Sequence, residues 1–167
     1  MPKLLANRLR LDSIRGFLTA AALRYDEGWG LAEKGHRTAA VNLWGSAAES
    51  VLKAAWFRLK RFNHAQTIGL TDLRNAKNEA TDLLGIAWPS GGLHNIDSWA
   101  RSIAAFRGAY GPAYATPYFA PLLLYQATTV YSRWNESLQY KSNVAFDHEV
   151  RSVAKSVSWF LSNASKI

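Results

Sequence analysis

The chain has 167 residues, enough for one domain with a buried core, and 49% of them are hydrophobic. This composition excludes a disordered chain, and the apolar runs are too short and too often interrupted by charges to span a membrane. The absence of cysteine excludes disulfide frameworks, thiolate zinc sites and cysteine nucleophiles. Basic residues outnumber acidic ones by 20 to 12, and the formal net charge of +8 favours an anionic partner.

Most of the excess positive charge lies in the first two-fifths of the chain, and two clusters account for much of it. Their members are Lys3, Arg8, Arg10 and Arg15, and then Arg58, Lys60 and Arg61. We take Arg8, Arg10, Arg58, Lys60 and Arg61 as candidate contacts to nucleic acid. The apolar stretch 16–23 is too short for a secretory signal and continues into polar helical sequence, so we expect a cytoplasmic protein.

Apolar residues recur every three or four positions at the start of the chain, which predicts two helices. The first covers residues 12–34 and is weakened or bent around Gly28 and Gly30. The second covers 40–62 and carries the longest regular apolar stripe in the sequence.

The middle of the chain predicts two shorter helices that end at glycines. One covers residues 71–84 and stops at Gly85, and the other covers 95–107 and stops at Gly108. Glycine is favoured at such positions because it adopts the left-handed conformation that closes a helix.

Two further helices are predicted in the last third of the chain. A fifth begins at Pro117 or Pro121, since proline suits a first helical turn, and runs to about residue 133. The last covers 146–161, and Ser142 or Asn143 precedes it as a candidate N-cap.

No pair of alternating segments with a hairpin turn is present, so no sheet is predicted. Residues 108–121 are rich in proline and tyrosine and too apolar for a free linker, so we expect an ordered loop that wraps the bundle. The predicted fold is a single all-α domain over residues 1–167, an up-and-down bundle of five or six helices.

No metal or cofactor motif is found. The four histidines lack a metal-ligand spacing, and Ser152 stands where a zinc-protease helix needs the second histidine after His148. Dinucleotide and phosphate-binding glycine loops are also missing from the sequence. The sequence therefore implies no metal and no cofactor.

The second predicted helix resembles the second helix of HEPN domains, small helical bundles of prokaryotic toxin and defence systems. Residues 36–55 read HRTAAVNLWGSAAESVLKAA and include, over residues 40–54, the pattern A-x-x-L-x-x-x-A-x-E-x-x-L-K-A of that family. A shorter aromatic and polar match follows in residues 133–140, RWNESLQY. The resemblance implies a helical bundle, a homodimer, and association with RNA and an antitoxin-type protein.

Many HEPN domains are metal-independent ribonucleases with an arginine followed, four to six residues later, by a histidine. The histidine relays a proton while the arginine stabilises the developing phosphorane charge. Arg133 stands at the expected place, but positions 138–140 hold no histidine. The spacing occurs instead at Arg58 and His64, where a basic helix end that complements the helix dipole is the alternative interpretation.

Glu49 and Lys53 are four residues apart with the acid first, the favourable order for a pair on one helix. The apolar stripe places Glu49 at its boundary, which favours an exposed structural pair of small value. If both side chains instead face the interior, burial requires that they pair and makes them a candidate polar site.

Three functions follow from these features. The first is an RNA-associated HEPN-like protein, not necessarily catalytic, in a toxin–antitoxin or defence setting. The second is an active ribonuclease that uses Arg58 and His64, or Arg133 with another partner. The third is a module that binds an acidic protein and no nucleic acid. None of the three requires a membrane.

Overall fold

The computed structural model describes residues 12–89, 92–110, 118–134 and 136–167, and these residues form an all-α bundle, as predicted. Two short 3-10 helices, Gly92–His94 and Glu136–Tyr140, accompany the α-helices. The α-helices are α1 (Ile14–Glu33), α2 (Arg37–Leu59), α3 (Leu70–Leu84), α4 (Ile96–Tyr110), α5 (Phe119–Tyr131) and α6 (Asp147–Ser162).

Half of the predicted loop at 108–121 lies outside the described residues. Residues 111–117 form the part that is not described. At its edges, α4 continues to Tyr110, two residues beyond the stop expected at Gly108, and α5 begins at Phe119.

The helix α2 is the central column of the bundle and contacts α1, α4, α5 and α6. Every residue from Ala47 to Phe57 is buried. The apolar stripe predicted from the sequence is buried here, but the faces beside it are buried too, which the periodicity did not predict. Alanine, glycine and serine on the remaining faces are small enough for neighbouring helices to approach from all sides.

Two glycines allow large tryptophan rings to enter the core. A Cβ atom on Gly28 would lie 2.3 Å from Nε1 of Trp44, and one on Gly45 would lie 2.1 Å from Cγ of Trp134. The helix α1 runs through both Gly28 and Gly30 without interruption. Gly28 therefore serves close packing against α2, whereas a Cβ on Gly30 would meet no atom within 4 Å.

A Schellman motif ends α2. The amide of Arg61 donates to the carbonyl of Arg58 at 2.9 Å, and the amide of Phe62 donates to the carbonyl of Phe57 at 3.0 Å. The Phe57 and Phe62 rings lie 5.0 Å apart and supply the apolar contact of this motif. Arg61 has φ of 60°, the left-handed conformation that usually requires glycine, and its side chain is directed to solvent.

Neither Ser142 nor Asn143 caps the last helix, whose N-cap position is Phe146. Asn143 instead caps α2, because its Oδ1 accepts a hydrogen bond from the amide of Thr38 at 3.1 Å. The Thr38 hydroxyl in turn accepts a hydrogen bond from the amide of Val144 at 2.7 Å. This exchange fixes the segment before α6 to the start of α2.

Candidate functional site

A cleft of about 230 Å³ opens between α1, α2 and the 3-10 helix at Gly92–His94. Phe17 and Ala20 form an apolar part of its wall. We call it the Glu49 cleft. Its polar lining contains Asp12, Arg24, Glu49, Ser50, Lys53 and His94.

Glu49 and Lys53 form a buried ion pair in the cleft, and their side chains are only 9% and 8% exposed. Both belong to the part of α2 that is buried on all sides, so the surface position expected for Glu49 was wrong. The carboxylate also bonds His94, whose Nδ1 lies 3.0 Å from Oε1 and 3.2 Å from Oε2. Because the His94 side chain is 55% exposed, the carboxylate links the core to the cleft opening.

The partners of Glu49 keep it ionised. Burial raises the pKa of this carboxyl. The hydrogen bond to His94 and the charge of the Lys53 ammonium together lower the pKa by more than burial raises it, so the pKa lies below its ordinary value. A buried carboxylate at this position is therefore compensated by groups from two different elements, α2 and the 3-10 helix.

Arg24 extends from α1 across the cleft to α2. Its Nη1 donates to the Ser50 hydroxyl at 2.9 Å, and this hydroxyl donates to the Ser46 carbonyl at 2.8 Å. Within the described parts of the chain, no carboxylate lies within ion-pair distance of Arg24. The cleft thus combines a partly buried guanidinium, a buried ammonium and a histidine that a carboxylate orients, a set able to bind an anion or move a proton.

The basic cluster at the end of α2 is divided between several environments. Arg58 donates through Nη2 to the carbonyl of Ala164, and burial, followed by the nearby charge of Arg107, lowers its pKa. Lys60 forms an ion pair with Glu79 and lies 5.1 Å above the Phe106 ring. The charge of Lys60 is therefore compensated within the bundle.

Arg61 and His64 are exposed in the turn that follows α2. The amide of Arg15, at the start of α1, donates to the carbonyl of His64 at 3.1 Å, so the exposed Arg15 stands beside the same turn. We call Arg15, Arg61 and His64 the Arg61 surface. No hydrogen bond joins the side chains of Arg58 and His64 in the described residues, because Arg58 is directed to the last segment of the chain.

The other residues predicted from the sequence to be catalytic or to bind nucleic acid belong to neither the Glu49 cleft nor the Arg61 surface. Arg133, at the end of α5, donates to the carbonyl of Thr129 at 3.0 Å and to the hydroxyl of Ser132 at 2.9 Å. Arg8 and Arg10 lie outside the described residues. The structure therefore brings Glu49 and Lys53 together, and among the described residues no hydrogen bond or ion pair joins Arg133 to them.

Sequence reasoning missed His94 and Arg24 as members of the site. His94 lies 45 positions after Glu49, and no spacing rule relates them. One signal was present: alanines, a glycine and serines surround Glu49 and Lys53 on every face of α2. A helix with small residues on all faces is buried all round, so its ionised side chains need partners from other elements.

Comparison with protein-family models, with curated proteins and with solved structures finds no match to this chain. The HEPN resemblance therefore stays a prediction that depends on the residues of α2. No cluster of three His, Asp or Glu side chains able to hold a metal ion is found within the described ranges. None of the helices described is both long and apolar enough to cross a membrane.

Proposed function

We propose that this chain is an RNA-associated, HEPN-like helical-bundle protein that contacts phosphates through the Arg61 surface. The observation that carries the proposal is the exposure of Arg15, Arg61 and His64 around one turn. None of them forms an ion pair with another described residue, in contrast to Lys60. Exposed arginines without an acidic partner can neutralise phosphates, and the counterions that the nucleic acid then releases drive binding.

The proposed setting is a cytoplasmic toxin–antitoxin or defence system, in which the chain acts as a homodimer with an antitoxin-type partner. This part of the proposal rests on the resemblance of residues 40–54 to HEPN domains. Sedimentation of the purified chain measures the oligomeric state directly, and a monomer at micromolar concentration would count against the dimer.

The test is RNA binding by mobility shift over a series of salt concentrations. For wild type we expect the logarithm of the association constant to fall linearly with the logarithm of salt concentration. The variant Arg15→Ala/Arg61→Ala is expected to reduce that slope by about 1.4, since each lost contact with single-stranded RNA contributes about 0.7. Arg151→Ala/Lys155→Ala is the control, because it removes the same charge from exposed positions on α6.

The outcomes separate the alternatives. Equal losses in the two double variants would mean that net charge, not the Arg61 surface, governs binding. Absence of binding at low salt would favour the module that binds an acidic protein. RNA cleavage in the presence of a chelator, if abolished by His64→Ala, would support the ribonuclease that uses Arg58 and His64.

A further inference from the structure

We propose that the Glu49 cleft binds a small carboxylate-bearing molecule, with Arg24 and Lys53 as the groups that hold the carboxylate. This site is independent of the Arg61 surface and of RNA binding. It uses residues that the helix α2 and the helix α1 bring together but that the basic clusters of the sequence do not include.

The hydrogen-bond donors of Arg24 and Lys53 outnumber the acceptors that they contact. The Lys53 ammonium has three N–H groups, and the Arg24 guanidinium has five. Among the described residues, Lys53 has one acceptor, Glu49, and Arg24 has one acceptor, the Ser50 hydroxyl. Both groups line the same cleft, so it holds more donors than its own acceptors satisfy. An acceptor-rich ligand would complete this set.

The lining of the cleft carries two cations, Arg24 and Lys53, and two carboxylates, Glu49 and Asp12. Asp12 is exposed, so water screens its charge, whereas the Glu49 side chain is only 9% exposed. His94 aside, the two cations therefore face one unscreened negative charge, which leaves one positive charge in excess. A monoanion such as a carboxylate neutralises this excess, whereas a phosphate monoester with nearly two negative charges exceeds it and is repelled by Glu49.

The size and the lining of the cleft suit a small molecule with a non-polar part. The volume of about 230 Å³ lies below the roughly 300–1,000 Å³ of sites for drug-sized ligands, so the ligand is small. Phe17 and Ala20 present an apolar wall to its non-polar part. The planar guanidinium of Arg24 matches the two oxygens of a carboxylate, which fixes the ligand's orientation.

The experiment titrates the intact chain with benzoate and follows binding by nuclear magnetic resonance. We expect a dissociation constant on the order of millimolar, given the size of the probe. Benzyl alcohol, which has the same ring without the charge, and inorganic phosphate should each bind at least about tenfold more weakly. Phosphate binding as tight as benzoate binding, or no benzoate binding at all, would overturn the proposal.

A variant pair locates the binding. Arg24→Gln keeps a donor for Ser50 and removes the charge, and should weaken benzoate binding at least about tenfold. Arg151→Gln, which removes an exposed charge from α6, should leave it unchanged. Arg24→Lys, which keeps the charge without the planar fork, should give an intermediate loss. Unchanged binding in Arg24→Gln would contradict the proposal whatever the result with RNA.

Discussion

Two ion pairs in this molecule have the same sequence pattern and opposite surroundings. Glu49–Lys53 in α2 and Asp97–Arg101 in α4 each place an acid four residues before a base on one helix. The side chains of the first pair are 9% and 8% exposed, while those of the second are 20% and 60% exposed. The spacing establishes that each pair can form, but burial decides how much each side chain depends on its partner.

The difference follows from the cost of removing a charge from water. Arg101 keeps most of its hydration and Asp97 keeps part of its own, so water screens their attraction, which is worth about 0.2–1 kcal/mol. Glu49 and Lys53 have lost theirs, so each is tolerated only while the other, together with His94, compensates it. The stability of the protein therefore depends on the buried pair staying intact, whereas the surface pair contributes little to it.

The largest expected effect is the loss of the buried carboxylate. Glu49→Gln should reduce the free energy of unfolding by about 3–5 kcal/mol, because it leaves the Lys53 ammonium buried without a counter-charge. Asp97→Asn, the matched change in the surface pair, should cost less than about 1 kcal/mol. Denaturant titration followed by circular dichroism measures both.

A double variant tests the reason for that loss. Glu49→Gln/Lys53→Met removes the uncompensated charge and should regain most of the stability, since apolar replacement of a buried pair is often close to neutral. A double variant no more stable than Glu49→Gln would show that the loss has another cause, such as the contact with His94.

A comparison of two glycines in α1 repeats the contrast between core and surface. Gly28→Ala should destabilise the protein by about 1–3 kcal/mol, because the new methyl group meets the Trp44 ring in a filled core. Gly30→Ala should raise stability by up to about 1 kcal/mol, since alanine favours the helix and nothing lies within 4 Å. Melting temperatures that shift in the same direction would contradict the assignment of Gly28 to close packing.

The smallest expected effect is on the pH dependence of stability. Folding lowers the pKa of Glu49 below its ordinary value of 4.5, so the unfolded chain binds the proton more tightly. The stabilising contribution of this carboxylate is therefore complete above about pH 4.5 and is lost as pH falls through the folded-state value. Glu49→Gln should show a shallower loss of stability than wild type over that acidic range, and identical profiles would contradict the lowered pKa.

The sequence predicted the helices better than it predicted their surroundings. Periodicity and the glycine stop at Gly85, which adopts φ of 65°, gave the all-α fold and most helix ends. The sequence pattern assigned Asn143 to the wrong helix, because a capping side chain can bond an amide 105 positions away, here that of Thr38. Local patterns contain no information about such distant partners.

In the candidate site, too, local contacts could be predicted from the sequence and distant ones could not. The pairing of Glu49 with Lys53 could be predicted from their spacing, and the association of RNA with the Arg61 surface stays a prediction. The contributions of His94 and Arg24 to the Glu49 cleft could not be predicted, because both come from other elements of the fold.

The amino-acid sequence by itself determined the helices, the positive charge and the absence of cysteine chemistry, since these depend on composition and on contacts between near neighbours in the chain. Only the tertiary structure decided that residues 47–57 of α2 are enclosed on every side, that Lys60 is compensated by Glu79, and that the Glu49 carboxylate meets His94. These outcomes depend on which helices become neighbours. The four-residue spacing of Glu49 and Lys53 is common on helix surfaces, but here both charges are buried. A buried charge needs partners close in space, and His94 supplies one from another element.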